Sequence, residues 1–226
     1  MWAYLLSVYY LQNRNKKGAL DEELLCNFLQ KTIGFVWAYA LVNPGVNALR
    51  TPLFAEMVNI IDGKLVTYDS FKFDSNSVKA QFENYSFRNG RPITKSMLAW
   101  WAYLNEEQEL ISLETTLEIE HIFARNRQYN EKSLEDERSL ESLGNKSLIE
   151  KRINIRASDY RFEDKKKYYL GFRNLRGQYK TGTLIRELME LAKNNDDYTE
   201  NDIIRRNTDM INAFLLYLDK QKLIKE

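Results

Sequence analysis

The spacing of apolar residues divides this chain into two kinds of stretch. Over the first 104 residues, apolar side chains recur at three- and four-residue steps, as in Trp2, Leu5 and Tyr9, which is the period of an amphipathic helix. Breaks that contain Gly, Pro or Asn separate five predicted helices, which are Met1–Lys17, Asp21–Val42, Thr51–Ile61, Ser75–Phe82 and Ser96–Leu104. This half is expected to be a helical bundle whose aromatic residues, including Trp100 and Trp101, form the core.

The pattern changes from Thr115 to Ile119, where polar and apolar residues alternate. Such alternation predicts a short strand with one buried face. Glu120 and His121 follow directly, and His121 is the only histidine of the chain. Neighbouring side chains of a strand point to opposite faces, so these two cannot share one core contact, but both can reach one site if the chain turns there. A second strand is predicted over Lys146–Glu150.

Helical periodicity returns after the second strand. Between the two strands, the polar residues 126–142 predict a loop with one helical turn. After them, the apolar spacing predicts helices over Ala157–Leu175 and Thr183–Lys193. The last helix is expected to begin at Thr199, because Thr199–Asp202 has the form of a capping box with Asp in the place of Glu.

The composition is that of a globular protein, since 44% of the 226 residues are hydrophobic and 29% are charged. This is enough apolar material for one large domain or two small ones. Cys26 is the only cysteine, which excludes an internal disulfide and fits a reducing, cytoplasmic location. The apolar runs at residues 1–11 and 33–42 are shorter than the ~20 residues that a bilayer requires, so no membrane segment is expected.

Positive charge is concentrated after the second strand. Residues 150–186 contain 11 Lys and Arg against four acids, a local excess of +7, whereas residues 1–115 contain 11 bases and 12 acids. A charge run can be an ordinary solvated face, but beside the candidate site it also suits contact with phosphate groups. The predicted phosphate contacts are Arg156, Arg161, Lys165, Lys166 and Lys167.

Several short blocks around and after His121 occur in a specific order. They are Ile119–Ala124 (IEHIFA), Leu143–Leu148 (LGNKSL), Asn154, the run KKKYY at Lys165–Tyr169, and Tyr198–Arg206. This order resembles the C-terminal nuclease domain of the GmrSD-type, modification-dependent restriction endonucleases, whose finger is of the HNH, or ββα-metal, type. The resemblance covers the chain from residue 115 onward. Three positions depart from the family pattern, with Ala124 instead of Pro, Lys146 instead of Leu and Tyr198 instead of Trp.

The resemblance implies a role for each candidate side chain. His121 would be the general base and Asn145 would position it, although Asn145 could equally be a turn residue. Glu120 and Asn154 would bind a divalent ion, Mg²⁺ or alternatively Mn²⁺, because Mg²⁺ prefers oxygen ligands and keeps several waters. Imidazole is the side chain that accepts a proton near neutral pH. Glu118 lies on the same predicted strand face as Glu120 and stays open as an alternative ligand. The family motif has its acid directly before the histidine, which favours Glu120.

The predicted fold is mainly α, with a helical bundle over residues 1–108 and a nuclease domain over 109–226, in which the HNH finger is embedded in helices. The resemblance implies a metal-dependent endonuclease that cleaves modified or foreign DNA in a restriction system. The NTP-handling domain that precedes this region in the family lies outside the chain, so it is expected as a separate partner or as part of a longer protein. Two alternatives stay open, a catalytically inactive DNA-binding or scaffold subunit, and an RNA nuclease.

Overall fold

The computed structural model describes residues 2–45 and 47–225, which fold as two compact units. One unit contains the residues up to Glu83 together with those from Ile211 onward, and the other extends from Asn84 to Met210. The boundary predicted between residues 108 and 109 separates domains by function and not by compactness, and it stays a prediction. The mainly helical fold is confirmed, because ten α-helices lie within the described residues: α1 Trp2–Asn13, α2 Glu22–Val42, α3 Arg50–Ile61, α4 Ser75–Asn84, α5 Pro92–Ala102, α6 Arg125–Glu131, α7 Lys151–Ala157, α8 Phe162–Leu170, α9 Arg186–Asn194 and α10 Glu200–Lys220.

Four short strands form two antiparallel pairs in the described residues. β1 (Leu117–His121) pairs with β2 (Lys146–Glu150), and β3 (Phe172–Arg173) pairs with β4 (Tyr179–Lys180). Helix α7 begins directly after β2. The first ribbon and this helix therefore form a ββα unit within a helical surrounding, as the sequence predicts.

Helix α2 contributes seven buried residues to the first unit. It begins after Asp21, whose carboxylate accepts a hydrogen bond of 2.9 Å from the backbone N–H of Leu24, as an N-cap does. The buried ring of Phe35 stacks on Tyr68 with 3.8 Å between the ring centroids. With 21 residues, α2 is the one helix in the described chain that is long and apolar enough to cross a membrane, a criterion that core helices also meet.

A short 3₁₀ turn, Leu143–Asn145, leads into β2 in the second unit. Gly144 approaches α10 so closely that a Cβ atom there would lie 2.3 Å from the carbonyl oxygen of Ile203, which no other residue type would permit. The hydroxyl of Tyr198 and the guanidinium of Arg206 each donate to the Gly144 carbonyl over 2.8 Å. These contacts fix the turn that precedes β2.

Two predictions around the ribbon need correction. β1 begins at Leu117, two residues later than the predicted alternation at Thr115, while Glu120 and His121, expected at the end of the strand, pair with β2. The single helix predicted over Ala157–Leu175 is wrong. The chain leaves the helical conformation at Ser158, where φ is 48°, and α8 begins only at Phe162. Periodicity alone does not reveal such a break, because apolar residues occur on both sides of it, in α7 and in α8.

Smaller differences occur at the ends of other helices. Helix α1 ends at Asn13 instead of Lys17, and its predicted first residue, Met1, lies outside the described residues. Helix α5 begins at Pro92, since proline at a first-turn position needs no N–H partner. The predicted cap of α10 is confirmed in part, because the carboxylate of Asp202 accepts from the backbone N–H of Thr199 over 2.9 Å.

Candidate functional site

The ribbon places Glu120 and His121 on opposite faces, as strand alternation predicts. His121 lies opposite Lys146 in the register, so these two side chains share one face. The Nε2 atom of the His121 ring lies 2.8 Å from the Lys146 Nζ atom. The same ammonium group donates to Oε2 of Glu141 over 2.9 Å and to Oδ1 of Asn89 over 2.8 Å. His121 is 8% exposed and Lys146 is 0% exposed, so this is a buried polar cluster, hereafter the histidine cluster.

The charges of the histidine cluster follow from its burial. Burial lowers the pKa of His121, the Glu141 carboxylate beside the ring opposes this, and the positive charge of Lys146 lowers it further. Burial also lowers the pKa of Lys146, to about 8, although Glu141 partly offsets it. Burial alone would raise the pKa of Glu141, but its contacts with His121 and Lys146 outweigh this and lower it to about 2. At neutral pH the cluster therefore contains a neutral imidazole, an ammonium and a carboxylate.

Asn145 fixes the backbone that follows His121. Its Oδ1 atom accepts from the backbone N–H of Phe123 over 2.7 Å, and its Nδ2 atom donates to the carbonyls of Phe123 and Leu140 over 3.2 and 3.0 Å. Its own carbonyl accepts from the backbone N–H of Ile122 over 2.9 Å. The hydrogen bonds of the side chain thus go to the turn after the strand and not to the imidazole.

Replacing Asn145 with alanine is expected to lower the free energy of unfolding by at least about 2 kcal/mol. The change would leave the N–H of Phe123 and the carbonyls of Phe123 and Leu140 without their partner, and each buried unpaired group costs roughly 1–3 kcal/mol. Urea denaturation followed by circular dichroism measures this loss. Asn201→Ala at an exposed position of α10 is the matched control and should change stability little. Equal stabilities of the two variants would contradict the proposed role of the Asn145 hydrogen bonds in holding this turn.

Glu120 lies on the face of the ribbon that α8 covers. Its Oε1 atom accepts hydrogen bonds from the Lys165 ammonium over 2.7 Å and from the Tyr169 hydroxyl over 2.6 Å. Lys165 also donates to the backbone carbonyl of His121 over 2.6 Å. Glu120 is 4% exposed and Lys165 is 1% exposed. Burial and the charge of Glu120 raise the pKa of Tyr169 well above its usual value, so its hydroxyl remains a donor.

Asn154 lies in α7 and contacts the other acid on this face. Its Nδ2 atom donates to Oε2 of Glu118 over 2.9 Å. The Glu118 side chain is 34% exposed, and its second oxygen lies 3.9 Å from the Lys151 ammonium. The structure therefore brings Asn154 to Glu118, the alternative ligand, and pairs Glu120 with a lysine.

These donors decide how a divalent ion would fit. In the part of the chain that the structure describes, no group of three or more His, Cys, Asp or Glu side chains could hold a metal. The carboxylate of Glu118 and the amide of Asn154 are oxygen donors of the kind that Mg²⁺ accepts together with several waters. The residues present fit a sparsely coordinated ion at Glu118 and Asn154 once the Asn154 amide turns its oxygen, in place of Nδ2, towards the ion. Glu120 joins this set only if an ion replaces the Lys165 ammonium.

The five basic residues predicted to contact phosphate are not equivalent in the structure. Arg161 and Lys167 are exposed, Arg156 and Lys166 are partly exposed, and Lys165 is buried in its pair with Glu120. Of the 11 bases in residues 150–186, Lys165 is the only one with a buried side chain. The positive surface remains, but Lys165 is not placed to contact a phosphate.

Three members of the histidine cluster have no role in the sequence-based prediction. Lys146 stands out in the sequence only as a departure from the family pattern, and the pattern does not single out Glu141 or Asn89. A single charged residue within the otherwise uncharged segment from Leu143 to Ile149 is the one available signal. Only the pairing of β1 with β2 shows that Lys146 lies opposite His121, so the sequence alone does not reveal the contact between the two side chains.

The ribbon and α7 define a ββα finger within helices, with the single histidine at the end of its first strand. The family model for the C-terminal domain of the GmrSD restriction endonucleases matches residues 72–213. This match covers more than half of the chain, and the chain belongs to this family of restriction endonucleases. Comparisons with curated proteins and with solved structures gave no match.

Proposed function

We propose that this protein is a metal-dependent DNA endonuclease of the HNH type that acts in the cytoplasm on modified or foreign DNA. The observation that carries the proposal is the position of His121, a neutral imidazole at the end of β1 in a ββα finger. Asn145 fixes the turn directly after it. Membership of a restriction endonuclease family supports DNA as the substrate.

His121 is the group that would take a proton from the attacking water. General-base assistance requires a side chain that is unprotonated at the working pH, and the lowered pKa of His121 provides this. Asn145 and the bonds from Tyr198 and Arg206 to Gly144 keep the turn beside it in one conformation. The protein thus supplies a positioned base on a rigid element.

Glu118 and Asn154 would hold a divalent ion, with Glu120 as a further ligand after exchange of Lys165. Because these acids and His121 lie on opposite faces of β1, the scissile phosphate would have to bind at an edge of the ribbon within reach of both. A bound ion of this kind, Mg²⁺ or Mn²⁺, supplies charge neutralisation at the phosphate and at the leaving oxygen. The neighbouring exposed bases of residues 150–186 would bind the flanking phosphates.

DNA affinity is expected to fall steeply with salt, because each phosphate neutralised by Lys or Arg contributes a log–log slope of about −0.9. The double change Arg152→Glu and Lys167→Glu, at two exposed positions, should weaken binding to all sequences alike and make the slope less steep. Fluorescence anisotropy over a salt series measures both effects. Lys16→Glu with Lys17→Glu, exposed in the first unit, is the charge-matched control. An affinity that does not change with salt would mark residues 150–186 as an ordinary solvated face.

Plasmid nicking tests the proposed activity most directly. The protein is incubated with supercoiled, modified or unmodified plasmid and with Mg²⁺, Mn²⁺ or a chelator, alone and with the NTP-handling partner domain. Conversion to nicked or linear DNA with metal, and none with chelator, is the expected result. Absence of cleavage under every one of these conditions would refute the proposal, and cleavage of RNA in place of DNA would redirect it to an RNA nuclease.

One observation favours a second candidate, a DNA-binding subunit without catalytic activity. The carboxylate at the family's metal-ligand position, Glu120, already pairs with Lys165, and Nε2 of His121 already bonds to Lys146. Such a subunit would show the salt-dependent DNA binding described above without nicking. The two assays together therefore separate the two functions.

A further inference from the structure

Lys146 has a set of hydrogen-bond partners that a protonated amine satisfies completely. An ammonium group has three N–H donors and no acceptor, and Lys146 Nζ has three partners within 2.8–2.9 Å, namely Oδ1 of Asn89, Oε2 of Glu141 and Nε2 of His121. A protonated Lys146 can only donate to Nε2. Its pKa of about 8 keeps it mostly protonated at neutral pH. Because the group is 0% exposed, water does not compete for these donors.

This arrangement decides which nitrogen of His121 carries the ring proton. A neutral imidazole has one N–H and one nitrogen lone pair. If the ammonium donates to Nε2, the lone pair of the ring lies at Nε2 and the proton lies on Nδ1. Nδ1 then has no capacity to accept a proton, and Nε2 can accept one only after its bond to Lys146 is broken.

We propose that Lys146 is a positioning residue that fixes the Nδ1–H tautomer of His121 and restrains the imidazole from acting as a base. This inference rests on the proposed role of His121 as the general base. It adds a restraint that the general family pattern does not contain, because leucine stands at this position in the pattern and cannot donate to Nε2. Cleavage would require the Lys146 ammonium to leave Nε2, while Asn89 and Glu141 remain as its acceptors.

The tautomer can be measured directly, because the chain has one histidine and its ring nitrogens give one set of signals. Long-range ¹H–¹⁵N NMR on the histidine-labelled protein is expected to show the proton on Nδ1. In Lys146→Met the proton should move towards Nε2, where Glu141 Oε1, 3.4 Å away, becomes the remaining partner. Lys146→Arg, which keeps a donor, should retain the original tautomer.

Arg125→Met is the matched control for the NMR experiment. Arg125 is the second cation on Glu141, at 2.9 Å, but its hydrogen bond goes to that carboxylate, so the tautomer should not change. A wild-type protein with its proton on Nε2 would overturn the proposal, and so would an unchanged tautomer in folded Lys146→Met. The wild-type spectrum decides the question even if a variant does not fold.

Single-turnover cleavage then tests the restraint. Lys146→Met should cleave roughly ten- to a hundredfold faster than the wild type, the factor that one hydrogen bond to a charged group typically represents. The gain should vanish in the double variant with His121→Ala. An equal or lower rate in Lys146→Met, with the tautomer moved, would refute the restraint. If no variant cleaves with any metal or partner, the nuclease proposal fails, while the NMR result still decides whether Lys146 sets the tautomer.

Discussion

Replacing His121 with alanine is expected to lower the rate of DNA cleavage by about 10²–10⁴, the usual contribution of a general base. No other histidine exists in the chain to replace it. The neighbouring acids, Glu118 and Glu120, lie on the opposite face of the ribbon, engaged with Asn154 and Lys165. Single-turnover nicking at saturating protein and metal measures the effect on the chemical step.

DNA binding should largely survive in the His121→Ala protein, because the proposed phosphate contacts and metal ligands are elsewhere. Asn154→Ala is the contrasting variant, since it removes a proposed metal ligand and leaves the base in place. It should need more Mg²⁺ for half-maximal cleavage and recover activity at high Mg²⁺, whereas His121→Ala should not recover. A His121→Ala protein as active as the parent would remove His121 from the mechanism.

Replacing Lys165 with methionine is expected to destabilise the protein by about 3–5 kcal/mol, the typical effect of removing one partner of a buried ion pair. The Glu120 carboxylate would remain buried with the Tyr169 hydroxyl as its remaining donor. The backbone carbonyl of His121 would also lose the hydrogen bond from Lys165. Chemical denaturation of the purified variant measures the change in the free energy of unfolding.

The adjacent lysine is a close control for this experiment. Lys166 is partly exposed and pairs with Asp196 at 3.4 Å, on a carboxylate that is fully exposed. Lys166→Met should therefore change stability by no more than about 1 kcal/mol. Adding Glu120→Gln to Lys165→Met should recover part of the loss, because it removes the uncompensated charge. Similar stabilities of the two single lysine variants would show that the buried pair contributes nothing.

Periodicity and motif order, both present in the sequence, predicted the main features correctly. The three- and four-residue spacing located most of the helices, and the alternation before Glu120 located β1 to within two residues. β2 was predicted with its observed bounds. The alternation of a strand also required Glu120 and His121 to point to opposite faces, and the structure confirms it. These features depend on local backbone geometry, which repeats with a fixed period.

Only the tertiary structure decided which charges meet. Lys165, Lys166 and Lys167 are identical in the sequence, yet Lys165 alone is buried, because α8 directs it towards a carboxylate 45 residues earlier in the chain. Lys146 likewise reaches His121 across the ribbon and Asn89 from a distant loop. Long flexible side chains carry no periodic signal of their own, and a buried charge is stable only where the fold supplies its partners. The sequence therefore determined the finger and its candidate base, and the fold decided which cation bonds to each of its acids and to its imidazole.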